Sequence, residues 1–231
     1  MGDDVILYAE NIGKVIGTRR ILGPLSLTVR SRRLLVVTGP NGAGKSSLLR
    51  MLAGVWSYTE GQLIRFGGHV ARDGGGDLRI GYLSHDSFLT AHLSLWENLR
   101  LYAGLWRLRD IRKRIDEVVS FVGLGWCAHD PIYLYSQGMR QRAEWARIML
   151  TAPQLLLLDE PLNALDEGIR GRLSEWVASQ RTFGATVIVT AHQVDEWAEH
   201  ADAVAVLRAG QWQSWETAEE WRKRATTLRD A

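Results

Sequence analysis

The sequence has a single cysteine, Cys127, so no disulfide can close within the chain. A lone thiol of this kind suits a reducing compartment. Long apolar runs are missing as well. The longest stretches, such as Leu155 to Leu158, fall far short of the roughly 18 residues a spanning helix needs. Any membrane role therefore has to be borrowed from a partner. Net charge is small, with 28 Lys and Arg against 26 Asp and Glu. That balance gives neither the basic footprint of a nucleic-acid-binding protein nor an acidic tail, and any polyanion bound should be small. The opening Met1-Gly2-Asp3-Asp4 carries acids where an export signal carries bases, and no apolar run follows, so export by that route is not expected. Repeats and low-complexity tracts are absent. What remains is a chain of 231 residues, 46% hydrophobic, able to bury a sizeable core in one folded unit with room for a sub-domain insertion.

Short apolar runs at Val5 to Ala9, Leu25 to Val29, Leu34 to Thr38, Ile80 to Ser84, Leu155 to Leu158, Thr186 to Thr190 and Ala203 to Leu207 read as strands. They alternate with helical patterns over most of the chain, which predicts an α/β fold. Between about 88 and 135 the strands stop. There Leu95, Leu99, Tyr102 and Trp106 recur at helical spacing behind a capping box from Ser94 to Glu97. This predicts an inserted helical sub-domain, at about 88–150, within a single domain of residues 1–231. A second capping box, Thr217 to Glu220, opens a C-terminal helix with Trp221, Ala225 and Leu228 on one face.

Gly39-Pro40-Asn41-Gly42-Ala43-Gly44-Lys45-Ser46 fits the G-x-x-x-x-G-K-[ST] pattern and lies between an apolar strand and a helix, as that pattern must. The glycines let backbone N–H groups turn inward on phosphates, and the helix that runs on through Ser47 adds the positive end of its dipole. Lys45 is expected to reach the β- and γ-phosphates, and the Ser46 hydroxyl to ligate Mg2+. Alone, the loop specifies only a nucleotide enzyme. Downstream, Leu155-Leu156-Leu157-Leu158-Asp159-Glu160 is four apolar residues closing on two acids, a buried strand that delivers carboxylates to the magnesium side of a nucleotide. Asp159 is expected to hold the metal through water. Glu160 is then free to orient the attacking water or take its proton.

Ser136-Gln137-Gly138-Met139-Arg140-Gln141-Arg142 precedes that strand by one helix. By itself it reads as an ordinary amphipathic helix, with Met139, Ala143, Ala146 and Leu150 as a core stripe. In this company it resembles the signature motif of the ABC ATPases, in a variant form that departs from the commonest one at Tyr135, Gln137 and Met139. Asn163-Ala164-Leu165-Asp166 resembles the D-loop of that family, and His192, after the last core strand, resembles its switch histidine. The resemblance spans essentially the whole chain. It implies a P-loop NTPase core, an ABC-type nucleotide-binding domain, that binds ATP with Mg2+ and hydrolyses it. It also implies that Ser136 and Gly138 touch the γ-phosphate held by a second copy of the chain, that Asp166 belongs to the same shared site, and that His192 contacts the γ-phosphate.

At two positions the sequence departs from the family. The adenine-stacking aromatic aligns with Ile16, where weaker apolar contact is expected. The glutamine that senses the γ-phosphate and metal aligns with His85 in Gly81-Tyr82-Leu83-Ser84-His85-Asp86. The resemblance further implies transmembrane permease subunits as partners, peripheral residence on the cytoplasmic face of the cell membrane, and no nucleic acid. The short Gly-Tyr-Leu-Ser-His segment is similar to ATPase subunits of the haem exporter for cytochrome c maturation, which makes export the expected direction; a drug or lipid-like cargo is the alternative. A soluble ABC ATPase of translation or DNA repair would resemble a tandem or coiled-coil-inserted chain, and neither feature is present. A GTPase would be expected to carry an Asn-Lys-x-Asp segment, which is not found.

Overall fold

Strand period decides which wall of the core each residue joins. In a computed structural model describing residues 5–65, 79–197 and 199–229, with side chains to Arg224, β3 (Leu34–Thr38), β6 (Leu155–Asp159) and β7 (Thr186–Thr190) are buried at every position. Such runs are what a parallel sheet covered on both faces demands. Alternate residues then part company. Leu156, Leu158, Val187 and Val189 pack into one core with the helices that follow β5, whereas Leu155, Leu157, Ile188 and Val37 pack into a second core with α1 (Lys45–Ala53) and the N-terminal strands. Truncating any of these leucines to alanine would leave a cavity costing roughly 2–5 kcal/mol.

The main sheet has six strands in the order β5-β6-β7-β3-β8-β9. β5 (Ile80–Leu83), β6, β7, β3 and β8 (Ala203–Arg208) run parallel, and β9 (Gln211–Thr217) closes the edge antiparallel to β8. A second sheet, β2-β1-β4, is antiparallel. Here β1 (Val5–Ile16) and β2 (Arg19–Arg30) run far beyond the expected Val5 to Ala9 and Leu25 to Val29. The extension of β1 passes through a register shift between Ala9 and Ile12, where Asn11 takes φ 50°. A bulge of this kind breaks the apolar alternation on which strand prediction relies. β4 (Glu60–Arg65) and β9 are additions to the expected strands. Both are edge strands with no fully buried position, so their sequences carry little apolar signal.

Between β5 and β6 the described elements are helical: α2 (Leu95–Leu105), α3 (Ile111–Phe121), two short 3-10 turns, and α4 (Gln137–Thr151). α2 begins as predicted. Ser94 Oγ accepts from the Glu97 N–H at 3.2 Å, and Glu97 Oε2 accepts from the Ser94 N–H at 2.9 Å. Leu95 and Leu99 are fully buried, while Trp106 has passed the helix end and stands exposed. Among the described residues no helix is long and apolar enough to cross a membrane. α5 (Glu167–Thr182) follows β6, and α6 (Ala218–Arg229) opens on the predicted Thr217/Glu220 box; Ala225 and Leu228 of the predicted stripe lie outside the described side chains.

The α2 box yields a test. The backbone N–H and hydroxyl of Ser94 hold the Glu97 carboxyl below its ordinary value. A depressed carboxylate contributes stability above its unfolded pKa and loses it as pH falls through the folded one. Ser94→Ala removes the N-cap acceptor of the Glu97 N–H, a loss that typically costs about 1 kcal/mol, and with it the hydroxyl that helps hold the carboxyl down. In urea melts the gap from wild type should shrink as the pH is taken below the carboxylate range; a gap independent of pH would assign it to Ser94 alone.

Candidate active site

Three neighbouring parallel strands, β6, β7 and β3, end side by side, and the chain leaving each carboxyl end carries part of the site. From β3 comes the loop of Gly39 to Ser46. Gly39 takes φ 148°, and a Cβ there would lie 2.0 Å from the Leu207 carbonyl oxygen; at Gly44, φ 103°, it would lie 2.6 Å from the Leu22 side chain. Only glycine fits either place. The loop is braced by Ala43 N–H donating to Pro40 O at 3.1 Å and Gly210 N–H donating to Ala43 O at 3.0 Å. Pro40, Asn41 and Gly42 are exposed. Gly44 is the N-cap of α1 and no side chain caps it, so the first-turn N–H groups, reaching through Ser46 and Ser47, keep the positive helix end open to an anion. Lys45, 5% exposed, turns its ammonium back on the carbonyls of Gly39 at 2.8 Å and Pro40 at 3.3 Å.

From β6 come the two acids. Asp159 is buried; its Oδ1 accepts from the Thr190 hydroxyl at 2.7 Å, and its Oδ2 is buried without a hydrogen-bond partner. Glu160 adopts φ 48°, a left-handed backbone that costs a non-glycine residue of order 1–3 kcal/mol. Its N–H donates to Thr190 Oγ at 2.9 Å, so Thr190 ties both acids to β7. The Glu160 carboxylate is the meeting point of the site. His192 Nε2, from the chain after β7, lies 2.8 Å from Oε1, and Lys45 Nζ lies 3.9 Å from it. On Oε2, Asn163 Nδ2 donates at 2.7 Å and His85 Nε2 lies 3.8 Å away. Lys45, Asp159, Glu160, His85 and His192 are thus brought together.

Ser136, Gly138, Asp166 and Ile16 are not. Ser136 caps α4, accepting from Met139 N–H at 3.3 Å, and a Cβ on Gly138 would sit 3.0 Å from the Ala164 carbonyl oxygen. Asp166 caps α5 through Ile169 N–H at 3.1 Å. Among the described residues no hydrogen bond or ion pair joins these three to the Gly39–Ser46 loop, Asp159 or Glu160. Ile16 stands half-exposed at the end of β1, and the N-terminal strands meet the loop at Gly44 through Ile21 and Leu22. Sequence reasoning misses Thr190 and the buried Glu144 and Arg147 of α4. Thr190 has one readable signal, a hydroxyl at the end of an apolar strand.

The residues fit a magnesium ion. Asp159 Oδ2 is an orphaned buried oxygen at the same end of the sheet as the loop that leads to Ser46, so a carboxylate and a hydroxyl are the donors on offer. Mg2+ is commonly held that way, by one or two protein oxygens plus water and phosphate.

The sequence family described as ABC transporter matches residues 22–163. The chain belongs to the ABC transporter ATP-binding family. Members of this family hydrolyse ATP to power transport. Over 208 residues the chain is 35% identical to the uncharacterized ABC transporter ATP-binding protein YhcH of Bacillus subtilis, covering 89% of this chain and 68% of that protein. Over 212 residues it is 34% identical to the sulfate/thiosulfate import ATP-binding protein CysA of Methylococcus capsulatus, covering 87% of this chain and 60% of the relative. It thus spans about two thirds or less of these relatives. A solved structure described as the ATP binding subunit of an ABC transporter superposes with a TM-score of 0.85 over 98% of this chain and 95% of that one, at 23% identity, and so agrees in fold.

Thr190→Val removes the hydroxyl between the two acids and keeps its shape. Leaving Asp159 Oδ1 without its donor should destabilise the fold by about 1–3 kcal/mol. Turnover of ATP should fall about tenfold or more, because Glu160 loses a backbone anchor, while nucleotide affinity holds. Wild-type turnover in the variant would show that Thr190 has no part in placing the acids.

Proposed function

We propose that this chain binds and hydrolyses ATP with Mg2+ and serves as the motor subunit of a membrane transporter. The observation that carries the reading is the Glu160 carboxylate, held between Lys45 and His192 at the carboxyl ends of three adjacent strands. Backbone N–H groups of Gly39 to Gly44 and the open end of α1 cradle the phosphates, with Lys45 leaving the Gly39 and Pro40 carbonyls for the β- and γ-oxygens. Magnesium, held by the Ser46 hydroxyl and by Asp159 through water, with His85 within reach of the same space, would neutralise phosphate charge. Glu160 orients the attacking water and takes its proton. His192, within hydrogen-bond distance of Glu160 through Nε2, would turn that N–H to the γ-phosphate once nucleotide is bound. Ile16 offers the base a methyl surface in place of a ring.

Two copies complete the site in this reading. Among the described residues Ser136, Gly138 and Asp166 make no hydrogen bond or ion pair with their own phosphate loop, and Gly138 lies against the Asn163–Asp166 segment, where a second copy's γ-phosphate can meet them. The helical sub-domain of about 88–150 carries Ser136 and Gly138, so its movement against the sheet would open and close the shared site. Permease subunits would supply the membrane span, with this chain peripheral on the cytoplasmic face and no nucleic acid bound. The relative from Methylococcus capsulatus is named an import protein. Export and a haem cargo, expected from the Gly81–His85 segment, gain no support from that relative, and the proposal stops at the motor.

Two variants test the reading. Lys45→Ala should weaken nucleotide binding and abolish turnover, because the loop loses its mobile cation; near-normal activity would refute the phosphate loop. Glu160→Gln should keep binding and accumulate an ATP-bound dimer, since the amide takes no proton. Sedimentation showing monomers alone with Mg2+ and ATP would speak against the two-copy site. Co-purification of a membrane protein from solubilised membranes separates a transporter motor from a soluble ABC ATPase.

A further inference from the structure

The segment that carries His85 has no ladder or helix to hold it. β5 ends at Leu83, and residues 84–91 form turns and bends, with His85, Asp86, Ser87 and Phe88 exposed. Its order therefore depends on side chains. In front of His85, Arg50 Nη2 bonds Asp86 at 2.8 Å and the Ser84 hydroxyl bonds the Asp86 carbonyl at 2.9 Å. Behind it stands a buried acid that the proposed chemistry does not use. Glu144, 3% exposed, projects from the middle of α4, and its Oε1 accepts from the Ser87 hydroxyl at 2.6 Å, Phe88 N–H at 2.6 Å and Leu89 N–H at 3.2 Å. Its Oε2 accepts from Arg147 Nε at 2.7 Å. Arg147, itself buried, donates onward to the Tyr82 carbonyl at 2.7 Å and lies 5.1 Å and 5.3 Å from the centres of the Phe88 and Tyr102 rings. Tyr102 Oη closes the cluster on Phe88 O at 2.8 Å.

We propose that Glu144 is a positioning residue for ATP hydrolysis, acting through His85: it clamps the backbone at Ser87 to Leu89 so that the imidazole stays beside Glu160. The inference rests on the ATPase reading above. Its chemistry explains why the residue is charged. A carboxylate has two accepting oxygens, and both are engaged, one by the loop and one by Arg147. A glutamine has one acceptor, so it can serve the loop or the arginine but not both, and its NH2 would face donors on the other side. Burying an ion pair is a poor way to gain stability, and apolar residues of similar volume commonly do as well. A buried pair that gives one carboxylate oxygen three donors from a single irregular segment beside the site is better explained by what that segment carries.

The test is a double-mutant cycle on the full chain, reading kcat and KM for ATP in wild type, Glu144→Gln, His85→Ala and the double variant. Glu144→Gln is expected to lower kcat about tenfold with KM changed less than about twofold, since placement is lost and binding is not. In the His85→Ala background the same substitution should cost nothing further. Tyr102→Phe removes an outer bond to the same loop and should fold normally; it should give a smaller loss of kcat that also vanishes once His85 is gone. Penalties that multiply in either double variant, or a His85→Ala chain with full turnover, overturn the positioning role and leave the ATPase reading intact. A wild-type chain that binds ATP without turning it over overturns the hydrolytic reading, and the positioning role with it.

Discussion

Register across three strands is the constraint on which the site depends. Val37 of β3 lies opposite Thr190 of β7, and Thr190 lies opposite Asp159 of β6. Three parts of the site are counted from that row: Gly39 is two residues past Val37, Glu160 one past Asp159, His192 two past Thr190. Strand side chains alternate faces, so a slip of one residue in β6 would turn Asp159 away from Thr190 and send its neighbouring leucines into the wrong core. The register is strongly specified because both faces are buried. Leu156 and Leu158 are committed to the helical side, Leu155 and Leu157 to the side of α1. Apolar packing thus fixes polar geometry at a distance.

The end of β6 carries the cost of that arrangement. Asp159 has an unpartnered buried oxygen and Glu160 a left-handed backbone, features that folding alone would avoid. Both are offset locally. Thr190 bonds each acid, and Glu160 faces Lys45, His192 and Asn163, so its charge is never without a donor or cation nearby. The same groups that steady the carboxylate are those the hydrolysis reading requires around a γ-phosphate. Strain and electrostatics therefore point to one place.

Features written in local chemistry are legible in the sequence. The Gly39–Ser46 loop, the Leu155–Glu160 strand and both capping boxes depend on neighbours a few residues apart, and the structure keeps each with its boundaries nearly unchanged. What escapes depends on partners far along the chain. β4 and β9 are defined by pairing with β1 and β8, because their own residues are half-exposed and mixed in polarity. Thr190 reads as a strand terminus until β6 is laid beside it. Glu144 lies outside the Met139, Ala143, Ala146 and Leu150 stripe that the sequence marks as core, yet α4 is buried from Ala143 to Ile148 without a break. A stripe pattern assumes one wet face, and this helix has none over that stretch.

That burial gives α4 its place in the whole. Its N-terminus carries Ser136 and Gly138, while its middle fastens both loops that flank Glu160. Toward the chain after β6, Gln141 Nε2 and Trp145 Nε1 both donate to the Pro161 carbonyl at 3.2 Å, next to Glu160 itself. Toward the chain after β5, Glu144 holds the residues behind His85. Between Gln141 and Arg147, then, one stretch of helix is bonded to the two segments that carry Glu160 and His85. Buried hydrogen bonds in low dielectric are costly to leave half-made, which ties both segments to this stretch of helix. Ser136 and Gly138, which the proposal assigns to a second copy, lie at the N-terminal end of the same helix.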